Sequence, residues 1–113
     1  CPHYLLFTSD KLAEVGPFAK INPPLRSERD RAALWAGLED GTIEVITTDH
    51  SPFAVEEKER GNTNIWLAPP GAPSVEILYT FWSDQANRHK FDCGRAIELV
   101  ATRPAQMYNL YPQ

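Results

Sequence analysis

An α/β fold is predicted for this chain, and three features of the sequence predict it. Residues 28–39 read as an amphipathic helix, with Leu34, Trp35 and Leu38 at helical spacing on its apolar face. Asp40-Gly41 breaks that helix, and Thr42-Ile43-Glu44-Val45-Ile46-Thr47-Thr48 follows at once, rich in the β-branched residues that favour a strand. A helix running directly into a strand is a step typical of α/β folds. The strand closes on Asp49-His50 and is broken by Ser51-Pro52. In α/β proteins chemistry gathers at the C-terminal ends of strands, and both aspartate and histidine bind metals and move protons.

The other elements follow in chain order. Cys1-Pro2-His3-Tyr4-Leu5-Leu6-Phe7 reads as the end of a buried strand entering a loop. Thr8-Ser9-Asp10 caps a short helix over Lys11 to Val15, which Gly16-Pro17 stops. Prolines 23 and 24 make 20–26 irregular, because each lacks an N–H and pushes its predecessor towards extended geometry. Ser27 to Asp30 cap the helix over Glu28 to Glu39.

Beyond the strand, Ala54 to Arg60 reads as a charged, solvated helical turn or loop, Ile65-Trp66-Leu67 as a short apolar patch, and Ala68 to Pro73 as a rigid loop able to line a cleft. Ser74 caps a helix to about Asn87, with Val75, Leu78, Phe81 and Trp82 on one face. A further helix covers Cys93 to Ala101, and Pro104 opens a last short one ending near Leu110. The three tryptophans, Trp35, Trp66 and Trp82, are expected in the core. Two strands cannot make a parallel sheet alone, since such sheets are covered on both faces. The remaining strands are expected from elsewhere in a parent chain or from another copy.

Composition narrows the function. The chain has 113 residues, 42% hydrophobic and 23% charged, as in ordinary soluble domains. A net charge of −4 with scattered basic residues argues against a nucleic-acid partner. No apolar run, Tyr4 to Phe7 included, is long enough to cross a membrane. Cys1 and Cys93 form neither a disulfide framework nor a zinc knuckle, so a cytoplasmic location is the default. The chain opens on Cys1 and carries ten prolines, which reads as a piece of a longer protein.

Asp49 is the leading candidate for catalysis and metal binding, set against a plain role as a turn residue. His50 is a possible ligand or substrate contact. His3, beside another expected strand end, more often has a structural role in such a setting. Asn22 offers a free amide to a ligand or to a turn. Glu56, Glu57 and Glu59 read as solvated surface, and no glycine-rich phosphate loop is present.

Four motifs in order then carry a resemblance. Cys1-Pro2-His3-Tyr4-Leu5, Asn22-Pro23-Pro24-Leu25-Arg26, Leu34-Trp35 through Gly41-x-Ile43, and Thr48-Asp49-His50-Ser51-Pro52 resemble the cyclic amidohydrolases. That family includes hydantoinases (dihydropyrimidinases), allantoinases and dihydroorotases. The closing stretch, Arg95-Ala96 through Arg103-Pro104-Ala105 to Tyr111-Pro112, resembles the end of their barrel domain.

The resemblance implies a (β/α)8 barrel, a TIM barrel, of which residues 1–113 supply the end of strand seven, strand eight and the following helices. It implies a divalent metal centre, usually two zinc ions, and a small cyclic amide as substrate. Asp49 matches the aspartate that binds one metal and serves as general base. Asn22, Pro70 and Gly71 match substrate-contacting positions, with His3 and Phe53 as further candidates. Dihydroorotases tend to have histidine at the position of Phe53, where it helps bind a carboxylate. Phe53 resembles hydantoinases instead and implies a less acidic ring, while His3-Tyr4 and Ser51 are nearer to allantoinases.

The family's other metal ligands lie upstream of this stretch, and Lys11, Lys20, Lys58 and Lys90 do not match its bridging lysine. The chain alone is therefore expected to be inactive and to hold metal weakly or not at all. The exposed apolar faces of a partial barrel imply self-association, most simply a homo-oligomer. The alternative is a non-catalytic relative that acts as an interaction protein.

Overall fold

The computed structural model of the chain describes residues 1–89 and 92–110. Tyr111 and Pro112, which close the last motif, and Lys90 lie outside the described residues. Seven α-helices occur among the described residues: α1 Pro2–Leu6, α2 Asp10–Val15, α3 Glu28–Glu39, α4 Val55–Glu59, α5 Leu78–His89, α6 Cys93–Ile97 and α7 Arg103–Met107. None is long and apolar enough to cross a membrane.

The α3 boundaries match the sequence expectation, and the cap explains why. Asp30 N–H donates to Ser27 Oγ at 3.4 Å, while Ser27 N–H donates back to Asp30 Oδ2 at 3.0 Å. This reciprocal box satisfies two donors that a helix start otherwise leaves open. At the other end Gly41 takes φ +87°, and Asp40 Oδ1 accepts from Thr42 N–H at 2.8 Å. The helix α2 likewise ends at Gly16, at φ +59°, as expected of that residue.

Residues 1–7 correct the expectation of a strand end. Pro2 sits in the first turn of α1, where its fixed φ suits a helix and its missing N–H costs nothing. Pro2 and Leu5, one turn apart, are both buried. A run this short does not separate helix from strand by periodicity alone.

The predicted central strand carries no β-ladder. Among the described residues the one strand-type pairing is the parallel bridge of His50 with Ala72. A strand is defined by a neighbour, and among the described residues no second strand lies beside 42–48. Instead, Ile46 N–H donates to Leu99 O at 3.0 Å. The strand eight that the resemblance implies is thus not formed as a paired element among the described residues.

Leu99 O is open to that bond for a reason written in the sequence. Between α6 and α7, residues Glu98–Thr102 form a π-helical turn, in which Arg103 N–H reaches back to Glu98 O. In that register the donor to Leu99 O would be residue 104, and Pro104 has no N–H. Pro104 sits in the first turn of α7, as expected, and a widened turn joins α7 to α6 in a continuous helical path.

The core gathers where α1, α3, α5 and α6 meet. Leu5, Leu38, Ile46, Trp82, Ala96 and Leu99 are buried, with Trp35, Ile43, Leu78 and Phe81 packed against them. Trp35 and Trp82 stack with ring centres 6.1 Å apart and planes 11° apart, and Trp35 Nε1 donates to Leu5 O at 3.0 Å. Trp35 and Trp82 behave as expected; Trp66 does not, being 83% exposed with the Lys20 ammonium 5.6 Å from its ring centre.

Val75 also departs from its predicted apolar face and is exposed. Ser74 does not cap its helix. Its hydroxyl donates to Thr48 O at 2.6 Å, and the chain passes through a 3₁₀ turn, Val75–Ile77, before α5 begins.

A radius of gyration of 15.6 Å exceeds the about 13 Å expected for a compact domain of this length. An apolar hollow of about 260 Å³, lined by Tyr4, Leu5, Pro23, Pro24, Leu38 and Ile46 among others, opens on one flank. Both observations describe a chain that does not close around its own core.

Candidate metal and substrate site

Asp49 takes φ +51°, a left-handed turn that aspartate tolerates better than most residues. The turn directs the chain from 42–48 into Ser51-Pro52 and leaves the Asp49 side chain 52% exposed. Asp49 Oδ2 lies 3.9 Å from His3 Nε2, too far for a hydrogen bond. His3 itself is 7% exposed, and its Nε2 has no hydrogen-bond partner among the described residues. A buried ring nitrogen without a partner is uncommon and costly.

Burial holds the His3 imidazole below its ordinary pKa. The Asp49 carboxylate opposes this. The imidazole is therefore neutral near pH 7, the form in which histidine ligates metals. Tyr4 is pushed above its ordinary pKa, first by burial and then by Asp49.

Cys1 completes a group of three. One ligand atom each from Cys1, His3 and Asp49 lies within 4.8 Å of the others. Sulfur, nitrogen and oxygen donors suit a borderline cation such as zinc, with bond lengths of about 2.0–2.3 Å. The unpartnered His3 nitrogen beside an exposed carboxylate fits a divalent cation, although three donors are a partial set for a pair of ions.

His50 points elsewhere. Its Nδ1 accepts from both Ser74 N–H and Val75 N–H at 3.1 Å. That nitrogen is occupied in fastening the turn to the start of the 75–77 segment, which is a structural task.

The substrate candidates fall on loops tied to this turn. Tyr4 donates its hydroxyl to Pro23 O at 2.7 Å, which holds the exposed Asn22 loop beside α1. Gly71 N–H donates to Lys20 O, and Ser51 N–H to Ala72 O. Gly71, at φ +154°, is pressed against the 51–53 segment: a Cβ there would lie 2.6 Å from Ser51 Oγ and 2.7 Å from Phe53 Cε2. Asp49 and His3 are thus brought together, and Gly71 and Phe53 are brought together. Pro70 is exposed on the same loop.

Lys58 is the residue the sequence reading missed. Its place in a charged, solvated stretch predicts exposure, yet it is 5% exposed. Its ammonium donates to Lys20 O at 3.0 Å, Pro69 O at 3.0 Å and Gly71 O at 2.9 Å. Burial, and then the Lys20 charge, lower its pKa. A signal was present: Ala68 to Pro73 contains three prolines, so the loop has more carbonyls than N–H groups and needs donors from outside. Glu56 and Glu59 are solvated as expected, whereas Glu57 caps α4 by accepting from Ala54 N–H at 2.9 Å.

No family model matches the chain. Individual proteins do. A dihydroorotase of Lactiplantibacillus plantarum is 41% identical over 110 residues, 96% of this chain and 25% of that protein. An L-hydantoinase of Paenarthrobacter aurescens is 34% identical over 113 residues, 99% of this chain and 25% of its own length. Among solved structures, L-hydantoinase (dihydropyrimidinase) from Arthrobacter aurescens matches with a TM-score of 0.85 at 34% identity, over 99% of this chain and 25% of that one. Dihydropyrimidinase from Brevibacillus agri gives a TM-score of 0.89 at 25% identity, with the same two coverages, 99% and 25%. The chain spans about a quarter of the length of the curated relatives it matches.

Proposed function

We propose, from the premise that this chain belongs to the cyclic amidohydrolases and corresponds to about a quarter of such an enzyme, that the whole protein hydrolyses the C–N bond of a small cyclic amide. Residues 1–113 would form the C-terminal part of its barrel domain. The observation that carries this is Asp49: an exposed carboxylate on a left-handed turn, facing a buried histidine nitrogen that has no other partner.

Asp49 would hold a divalent cation, most simply zinc, with His3 and Cys1 within reach of the same position. Such an ion, when bound, supplies Lewis-acid chemistry and acidifies water. Water adds to the ring carbonyl carbon and the C–N bond breaks, while the Asp49 carboxylate accepts the water's proton and returns it to the leaving ring nitrogen, which departs as a neutral N–H group. A carboxylate does both jobs because it is a weak base that stays within reach of the water and the nitrogen. Asn22 offers its side-chain amide to the ring, the Pro70-Gly71 backbone offers a polar edge, and Phe53 offers an apolar wall. Phe53 favours an uncharged ring of the hydantoin or dihydropyrimidine kind over a carboxylate-bearing one. We read the enzyme as cytoplasmic, a reading supported by the free thiols of Cys1 and Cys93, and as a homo-oligomer. Nothing observed favours the non-catalytic alternative.

The test is to purify the complete enzyme, measure its metal content and assay hydantoin, dihydrouracil, allantoin and dihydroorotate. Turnover of a cyclic amide that is lost on chelation supports the proposal. No turnover by a metal-loaded enzyme overturns it. The 113-residue chain alone is expected to be inactive, because its donors make only part of a site; turnover by it would refute that division.

A further inference from the structure

We propose that Lys58 is a positioning residue, whose buried ammonium gathers the carbonyls of Lys20, Pro69 and Gly71 and so sets the edge of the ring-binding site beside Asp49. The inference rests on the proposed function, in which the 69–71 loop and Asn22 contact the ring.

The geometry is that of a fully used donor. An ammonium has three protons and no acceptor, and Lys58 Nζ has three carbonyls at 2.9–3.0 Å. Burying a charge is costly unless it is paired or hydrogen-bonded, and here backbone oxygens alone meet that cost. Those oxygens belong to two loops distant in sequence, 20–22 and 69–71, which Lys58 joins from α4. Lys20 works alongside it, donating from Nζ to Ile65 O at 2.8 Å and Ala68 O at 2.6 Å.

The clamp reaches the reacting residue through short links. Lys20 O also accepts from Gly71 N–H at 3.0 Å, so Lys58 and Gly71 meet on one oxygen. Gly71 lies against Ser51 and Phe53 with no space for a Cβ. Ala72 then pairs with His50 and accepts from Ser51 N–H. His50 follows Asp49 directly. A shift of the 69–71 loop therefore moves the ring's polar edge, while the Asp49 turn keeps ties of its own, the Ser74 hydroxyl donating to Thr48 O and the Ser74 N–H to His50 Nδ1. α4 touches the 16–19 and 60–62 turns and stands apart from the α3–α5 core, so Lys58 serves these loops rather than the main packing.

The experiment uses the complete enzyme with Lys58→Met, which keeps most of the stem and removes the donors, and Lys58→Arg, which keeps the charge in a planar fork ill-suited to three converging carbonyls. For Lys58→Met the expected result is a KM raised at least tenfold with kcat within about threefold and metal content unchanged. Amide exchange should quicken in peptides covering 18–23 and 66–74 and stay unchanged in α3. Lys58→Arg should move KM in the same direction, by at least threefold, and it decides the matter if Lys58→Met does not fold.

A wild-type KM with unchanged exchange in either folded variant overturns the proposal. So does faster exchange spread evenly into α3 with kcat and metal content falling together, which would mark Lys58 as merely structural. If the wild-type enzyme turns over no cyclic amide, the functional reading falls. The exchange pattern then decides the clamp by itself, since it needs no substrate.

Discussion

The two halves of this chain are held by different forces. The half built from α3, α5 and the 93–107 helical path is held by apolar burial: Leu38, Trp82 and Leu99 are at most 1% exposed. The half that carries Asp49 and the substrate-contact candidates Asn22, Phe53, Pro70 and Gly71, residues 16–26 and 49–74, buries few apolar side chains, among them Pro17, Ile21, Leu25 and Ala68. It is tied instead by two lysines donating to backbone carbonyls and by loop-to-loop amide bonds. Apolar packing tolerates no void but is indifferent to direction, whereas hydrogen bonds fix direction. A core needs the first property. A loop that must present an amide edge and a carboxylate needs the second.

The contrast can be broken at its extremes. The largest effect is expected at Asp49. Asp49→Asn in the complete enzyme should lower kcat by about 10²–10⁴-fold, the range for losing a general base, and leave the melting temperature nearly unchanged because the side chain is exposed. Loss of folding together with activity would show that the turn is structural.

Leu99→Ala should do the reverse. It removes a fully buried side chain and should cost about 2–5 kcal/mol of stability in denaturant titration, with KM of the surviving folded enzyme near wild type. A cost below about 1 kcal/mol would mean that the core is looser than its burial implies.

Gly71→Ala sits on the border between the halves. A methyl there would collide with Ser51 and Phe53 at a φ of +154° that favours glycine. The expected outcome is a raised KM with a stability loss of about 1–3 kcal/mol. Wild-type kinetics would show that the 71 loop does not touch the ring.

The smallest effect tests the packed half through its cap. Ser27→Ala should cost about 1 kcal/mol. The Ser27 hydroxyl, and then its backbone N–H, hold the Asp30 carboxyl below its ordinary pKa. A depressed carboxylate stabilises the fold above its unfolded pKa, and that contribution is lost as pH falls through the folded value. Acid titration below about pH 4 should therefore loosen the first turn of α3, read by amide exchange, and Asp30→Asn should remove the pH dependence. A first turn insensitive to acid would show that the box contributes nothing.

The sequence by itself determined the elements whose signals are local. The α3 boundaries follow from Ser27, Asp30 and Asp40-Gly41; the stop of α2 follows from Gly16; and the core roles of Leu38, Trp35 and Trp82 follow from helical spacing. The family was legible too, because four motifs kept their order, and the relatives agree with it. Asp49 stood out because a carboxylate after a β-branched run and before a proline is a local pattern.

Only the tertiary structure decided the rest. A strand needs a partner, so residues 42–48 remained unpaired once no neighbour lay beside them. Pro2 and Leu5 became a helix because α3 and its neighbours offered an apolar seat one turn long. His50 looked like a ligand, yet its Nδ1 is spent on Ser74 and Val75, 24 and 25 residues away. Lys58 looked solvated, and its three acceptors lie 38, 11 and 13 residues away. The physical reason is common to all four. Periodicity and capping act over one or two turns, whereas the partner that satisfies a buried polar group or a strand edge comes from distant chain, and no local pattern records which partner will arrive.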